Sequence, residues 1–527
     1  MKRVIFGILV ALLGAVFFAP SALAAGPAYP GMQTLHFNAG PYLVRPGANL
    51  ILVDSKHVPK PSVNGFMVRM TPNLRYTLPN GKCCGRIPRV DVIHLHHGVW
   101  LSNGQAGEGE GNGNIGGFYP FMASGEEKTV YEFPQGYGYP IGARDFWVFN
   151  YMIHNLTAKA AHVYVNYTID FVPDSDPAAA GITAVHPIWM DVMDHHIYPV
   201  FNVYRHSGVN GKFTFPDMAK NPYGPGPALD EFTVDHPGTL VGTAGHLHPG
   251  GLYDDLDLIR PGVKPFSGAI KGTSGPDSVR LFRSYAHYFD KRGPISWDMA
   301  MTATAPNWRP QLKAGDVMRI SSTYDTRRAS WYESMGIMVA WESWDTQGGI
   351  DPFTHKLNEK GHITHGHLAE DNNHGGAYSI GVNPNKFPVC YRSKVTISAF
   401  TYNPGDFRAT GGNRCIPTIH EGHSLTFVND DASPLPTAGN PLDPSQAYID
   451  SVFHTVTSCQ NPCGLNTGIS YPLANGKGGY DSAQLGYGTP AANRISWSTP
   501  RTLRPGTYTF FCRIHPFMRG IFRIVGG

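Results

Sequence analysis

His162-Val163-Tyr164-Val165-Asn166-Tyr167-Thr168-Ile169-Asp170-Phe171-Val172 alternates polar and apolar positions, with β-branched and aromatic side chains on the apolar beat. A period of two marks a strand that buries one face. Val317-Met318-Arg319-Ile320-Ser321-Ser322-Thr323-Tyr324 is a second run of this kind, and turn formers separate such runs throughout: the chain holds 61 Gly and 44 Pro, with 12% aromatics. Long amphipathic helical patterns are nearly absent. The expectation is an all-β protein made of sandwiches.

A length of 527 residues suits three or four domains. The Pro/Ala/Asp stretch Asp174–Ala180 marks a first boundary. From Thr346 to Asn385 the chain is rich in Gly, His, Asn and Asp, the composition of an exposed linker. The division is therefore 30–180, 181–345, a linker over 346–388, and 389–527. Gly104–Gly117 reads as one long surface loop. Before these units stand Met1-Lys2-Arg3, an apolar run from Val4 to Phe18, and Ser21-Ala22-Leu23-Ala24. That is the layout of a signal peptide over residues 1–24, too short for a spanning helix. The mature protein is expected to be exported to the periplasm, the cell surface or the medium. The formal charge of +3 falls to +1 once Lys2 and Arg3 leave with the signal. Neither nucleic acid nor a membrane span is indicated.

Near the C-terminus stands Phe511-Cys512-Arg513-Ile514-His515-Pro516-Phe517-Met518, with Phe453-His454-Thr455-Val456 upstream. A thiolate, two imidazoles and a thioether form the trigonal set with a long axial bond that holds copper for electron transfer. His454, Cys512, His515 and Met518 are thus the expected ligands of a type 1 copper. With Cys512 so used, six cysteines of seven remain to pair. Cys390 with Cys415 and Cys459 with Cys463 are the favoured pairs, and adjacent Cys83 and Cys84 have only each other.

The region over roughly 390–527 resembles the cupredoxins, the plastocyanin-like blue copper proteins. The resemblance rests on that motif, the Pro505–Tyr508 turn and the closing strand Gly520–Val525, and it implies a Greek-key sandwich. In multicopper oxidases the Cys is flanked by two His that lead to a trinuclear cluster. Here its neighbours are Phe511 and Arg513, so the laccase-like reading is set aside.

The 24 histidines are grouped. Asp91-Val92-Ile93-His94-Leu95-His96-His97 would put His94 and His96 on one face of a strand, and His97 on the other unless a bulge intervenes. A second strand, Phe146–Asn155, ends in His154. Gly245-His246-Leu247-His248 sends two imidazoles in one direction, a ready metal pincer. Ser321 to Met335 follows.

By order and surroundings, residues 35–345 resemble the type II copper-dependent monooxygenases, the family of peptidylglycine α-hydroxylating and dopamine β-monooxygenase. The resemblance implies two tandem jelly-roll-type sandwiches and two further mononuclear coppers. Carried over, His96, His97 and His154 hold the electron-donating copper, and His246, His248 and Met335 hold the catalytic, oxygen-activating one. Met338 is the alternative thioether. Where peptide-amidating members hold a substrate carboxylate, this chain has Ala244, Ile337 and Val339, so amidation is not expected and a less polar substrate fits. The family's core disulfides are not evident. His355, His362, His365, His367 and His374 in the linker fit either copper capture or a merely solvated segment.

The expected function is an O2-dependent C–H hydroxylating copper monooxygenase with a fused electron-transfer domain. Its partners would be O2, a small-molecule substrate and an electron donor, either a small reductant or a redox protein. The alternative is an electron-transfer or copper-handling protein whose monooxygenase-like domains are catalytically inactive. A cell-surface interaction scaffold is the third reading.

Overall fold

A computed structural model describes residues 28–527 except 48–50, 112–115, 194–199, 217–229, 290–293, 295–296, 328, 368–382, 384–385, 433–451, 460–478 and 488–493. The expected signal peptide lies outside the described residues. The protein is all-β, and three cores follow one another along the chain. No helix among the described residues is long and apolar enough to cross a membrane.

The first core is a two-sheet sandwich. One sheet orders Gln33–Val44, Ala161–Pro173, Gly65–Tyr76, Tyr137–Ile141 and Thr183–Ala184, and the other orders Ile51–Asp54, Trp147–Asn155, Ile93–Ser102 and Tyr119–Gly125. The alternating run is a strand as expected: Val163, Val165, Tyr167, Ile169 and Phe171 are all buried, and the residues between them are partly exposed from His162 to Asp170. Their apolar faces meet Trp100, Phe121 and Phe149 from the other sheet in one core.

In the second unit the strands form a continuous twelve-stranded sheet whose two halves are joined by Ser278–Tyr288 pairing with Met299–Thr304. The halves share one core: Leu256, Met318 and Ile320 from one pack with Ile188, Leu240, Met338 and Ala340 from the other. The third unit packs two smaller sheets, Val389–Tyr391, Ile416–His420, Arg519–Val525, Gly506–Phe511 and Thr457–Ser458 against Thr401–Asn403, Lys394–Ser398, Thr426–Asn429 and Ser496–Ser498.

Two expected loops are built into the structure instead. Within Gly104–Gly117, Glu110–Gly111 pairs in parallel with Ile188-Trp189 of the second unit. Gly111 has φ +84°, and any Cβ there would strike the Trp189 carbonyl, so only glycine lets the strands approach. The linker is not simply exposed: Gly361–Ile363 adds to Met299–Thr304, and Phe353 and Leu357 join the second core. Apolar side chains spaced within a polar stretch carry too little periodicity to reveal this. His374 lies outside the described residues.

The first two sandwiches are fastened by aromatic rings. Trp341 of the second lies 4.8–5.7 Å, centroid to centroid, from Tyr131, Phe133 and Tyr139 of the first.

Candidate metal centres

Cys512 ends the strand Gly506–Phe511, and the chain turns back through His515 and Met518 into Arg519–Val525. The turn is closed by Cys512 N–H donating to the Met518 carbonyl at 3.0 Å and Met518 N–H to the His515 carbonyl at 2.8 Å. The backbone N–H groups of Thr455 and His515 donate to Cys512 Sγ, each at 3.4 Å, and fix the position of the sulfur. His454 Nε2 is 2.9 Å from Asp431 Oδ2, which holds the proton on that nitrogen and turns Nδ1 inward.

The three donor atoms converge. Cys512 Sγ lies 3.8 Å from His454 Nδ1 and 3.7 Å from His515 Nδ1, and the two nitrogens are 3.2 Å apart. Metal–nitrogen bonds of about 2.0–2.1 Å and a metal–sulfur bond of about 2.3 Å, set 120° apart, require about 3.5 Å between nitrogens and about 3.8 Å from sulfur to nitrogen. The donor set therefore fits a metal held in the trigonal plane. Met518 is fully buried in the same apolar cluster as Cys512.

This loop is also the point of contact with the other two units. The Ile514 carbonyl accepts a hydrogen bond of 2.9 Å from His154 Nε2, so the proton of His154 sits there and Nδ1 carries the lone pair. The rings of His154 and His515 are 6.2 Å apart. Next to Ile514, the buried Arg513 guanidinium stacks 5.2 Å from Trp331 and 5.8 Å from Tyr332 of the second unit.

Behind His154 five more buried histidines meet at the junction of the first two sandwiches. His94, His96 and His97 come from Ile93–Ser102, and His94 is directly opposite His154 across the ladder. The register shifts between Leu95 and His97, so a bulge at His96 changes the simple alternation. His246 and His248 stand at the end of Gly238–Leu247. Burial keeps the four cluster imidazoles of the first sandwich from charging: His94 and His96 lie well below the ordinary histidine pKa, His97 falls to about 3 and His154 to about 4. Neutral imidazoles offer lone pairs, the form in which histidine binds metals.

The grouping differs from the expected one. His96 faces His248 of the second sandwich, ring centroids 4.1 Å apart, more closely than it faces His154 at 5.6 Å or His97 at 6.1 Å. His97 Nε2 turns to Asn150 at 3.3 Å. Among the described residues, two sets bring three metal-ligating His, Cys, Asp or Glu atoms within 4.8 Å of one another: His454, Cys512 and His515, and His96, Glu126 and His248. The triad of His96, His97 and His154 is not among these sets. Met335 is buried among Trp189, Val200 and Ile337, while Met338 belongs to the large second core. The physical reason is that sheet packing brings strands from two sandwiches closer than neighbours on one strand, whose side chains alternate.

Sequence reasoning missed Glu126 and Glu127, which follow the strand Tyr119–Gly125. An adjacent acidic pair next to a run of small residues reads as a solvated turn, yet both are about 1% exposed. Glu127 Oε2 accepts from His246 Nδ1 at 2.9 Å and its Oε1 accepts from Gly125 N–H and the Thr129 hydroxyl. Burial raises its pKa, but His246 and these donors outweigh that and hold it ionised. His248 Nδ1 donates to the Glu333 carbonyl. The Nε2 atoms of His246 and His248 lie 3.1 Å apart. Trp297 also lines the cluster, 4.5 Å from His94 and 5.6 Å from His96. From the linker, His365 donates to the Glu127 carbonyl at 2.6 Å, and His367 lies 3.1 Å from Asp298.

A small cavity lies beside His246, lined by Met122, Ala244, Ile337, Val339 and Trp341 among others. Its walls include the three positions where the sequence lacks carboxylate-binding groups. Elsewhere, Cys83 is disulfide-bonded to Cys84 and Cys390 to Cys415. Cys459 is also disulfide-bonded, while Cys463, its expected partner, lies outside the described residues.

No protein-family model and no curated protein matches the chain. Among solved structures, it is similar to the Cu-containing nitrite reductase (NirK) from Thermus scotoductus SA-01 at 14% identity and a TM-score of 0.16, over 56% of this chain and 59% of that one. The match spans less than two thirds of the reductase chain, and an overlap this loose supports no argument about fold or chemistry.

Proposed function

We propose that the protein is a copper-dependent oxidoreductase in which the Cys512 loop delivers electrons to the histidine cluster between the first two sandwiches, where O2-dependent hydroxylation of a C–H bond takes place. The observation that carries this reading is the trigonal convergence of Cys512 Sγ, His454 Nδ1 and His515 Nδ1 within a loop that hydrogen-bonds directly to His154. Copper bound in the two places would supply one-electron transfer at the thiolate and oxygen activation in the cluster.

The chain's own residues divide the remaining work. Thr455 and His515 N–H groups hold the thiolate, and Asp431 orients His454. The Ile514 carbonyl fixes the ring of His154, the first histidine on the route into the cluster. Burial keeps His94, His96, His97, His154 and His248 neutral and excludes bulk water. Ala244, Ile337 and Val339 beside His246 suit a small, weakly polar substrate and offer no partner for a carboxylate. The amino-terminal signal layout and the Cys83–Cys84 and Cys390–Cys415 disulfides support export to an oxidising compartment.

The same burial favours a second reading, an electron-transfer or copper-handling protein with no oxygen chemistry, because electrons reach a closed cluster and a bulky substrate does not. The deciding experiment is quantitative EPR of the Cu(II)-loaded protein, followed by oxygen uptake on adding reductant. Blue and ordinary copper together, with uptake from a protein donor that Cys512→Ser abolishes, is the expected result. Blue copper alone with no uptake leaves the electron carrier.

A further inference from the structure

We propose that a single divalent transition-metal ion is held across the junction of the first two sandwiches by His96, His248 and Glu126. The proposal rests on reading the histidine cluster as a metal centre, and it changes the ligands: a carboxylate joins, and Met335 does not.

Three independent observations lead to this set. The donor atoms of His96, Glu126 and His248 all lie within 4.8 Å of one another, and all three residues are buried. Both carboxylate oxygens of Glu126, 1% exposed, lack a hydrogen-bond partner among the described residues. A buried carboxylate left this way is strongly disfavoured unless a cation meets it. The closest basic atom is His248 Nε2, 4.0 Å from Glu126 Oε1, too long for a hydrogen bond and suited to two donors on either side of a metal.

The third observation is the orientation of His248. Its Nδ1 proton goes to the Glu333 carbonyl, so in the neutral ring Nε2 presents a lone pair toward Glu126, 4.0 Å from its Oε1. Glu127 holds His246 in place from the other side. Close approach is enforced by Gly125, where a Cβ would lie 2.7 Å from both His246 Cε1 and Glu127 Oε2.

Two imidazoles and a carboxylate are a harder donor set than the thiolate site, and they suit a divalent first-row ion such as Cu(II) or Fe(II). Met335, by contrast, has apolar neighbours in its cluster: Trp189, Val200 and Ile337. Because His96 and Glu126 come from one sandwich and His248 from the other, the ion would also clamp the two together.

The test titrates Cu(II) into wild-type protein, Glu126→Gln and Met335→Leu, reading the ordinary EPR signal for the cluster and the blue absorption as a check of folding. Glu126→Gln is expected to weaken ordinary copper at least tenfold with the blue band intact, and Met335→Leu to leave it within twofold. Wild-type-like ordinary copper in Glu126→Gln, or its loss in Met335→Leu, overturns the ligand set while leaving a metal centre in the cluster. Absence of ordinary copper from wild type overturns both the set and the broader reading. X-ray absorption of the reduced, singly loaded Cys512→Ser/Met518→Leu protein gives a measurement free of folding effects in the Glu126 variant: no sulfur scatterer is expected, and a sulfur scatterer overturns the proposal.

Discussion

The Cys512 loop and the buried histidine cluster both gather imidazoles, yet they are assembled in opposite ways. Three of the four expected ligands of the first lie within seven residues, and their spacing is set by a turn closed by hydrogen bonds from Cys512 to Met518 and from Met518 to His515. His454 arrives from further off and is oriented by one carboxylate. The second draws on strands of two sandwiches, a bulge at His96 and a carboxylate that no motif announces. A site made by a turn travels with its peptide. One made by packing exists only while the two sandwiches are docked.

That contrast can be broken most forcefully at Trp341. Its ring packs against Tyr131, Phe133 and Tyr139 across the junction, and Trp341→Ala should cost about 3–5 kcal/mol of stability in denaturant unfolding. The ordinary copper signal should fall with it and the blue band should stay. Equal loss of both would mean that the loop site, too, depends on how the sandwiches are docked.

Arg513 tests the coupling between the two regions. Removing a buried guanidinium stacked on Trp331 should cost about 2 kcal/mol, seen as a lower thermal midpoint. Flash reduction of Arg513→Ala should show slower oxidation of the blue site by the cluster, with an unchanged blue spectrum. An unchanged rate would remove Arg513 from the docking that positions Ile514 against His154.

The smallest expected effect sharpens the local side of the comparison. Asp431→Asn keeps the shape but weakens the hold on His454 Nε2, and copper affinity at the blue site should drop about tenfold, roughly 1.4 kcal/mol. Competition with a copper chelator measures it. The ordinary copper should not respond.

Legibility followed the same divide. The strand Ala161–Pro173 was readable because one buried face imposes a period of two, and the burial of Val163, Val165, Tyr167, Ile169 and Phe171 follows it residue by residue. Glu110–Gly111 and Gly361–Ile363 were not readable as strands, since two or three residues are too short for a period to show. His246-Leu247-His248 was visible as a pair of imidazoles, but nothing in its spacing pointed to Glu126 and Glu127 beside it. The ring of His96 lies nearer to that of His248 than to those of His97 and His154, because the bulge and the docking of the sheets decide which rings meet.

By itself, then, the amino-acid order determined the all-β class and the turn that gathers Cys512, His515 and Met518, because both follow from interactions between near neighbours in the chain. Only the tertiary structure decided that His154 reaches the Ile514 carbonyl, that Arg513 lies on Trp331, and that Glu126 is buried beside His96 and His248. Those meetings join residues up to 360 positions apart. They depend on how three separately formed cores dock, and that geometry is carried by whole surfaces rather than by any spacing along the chain.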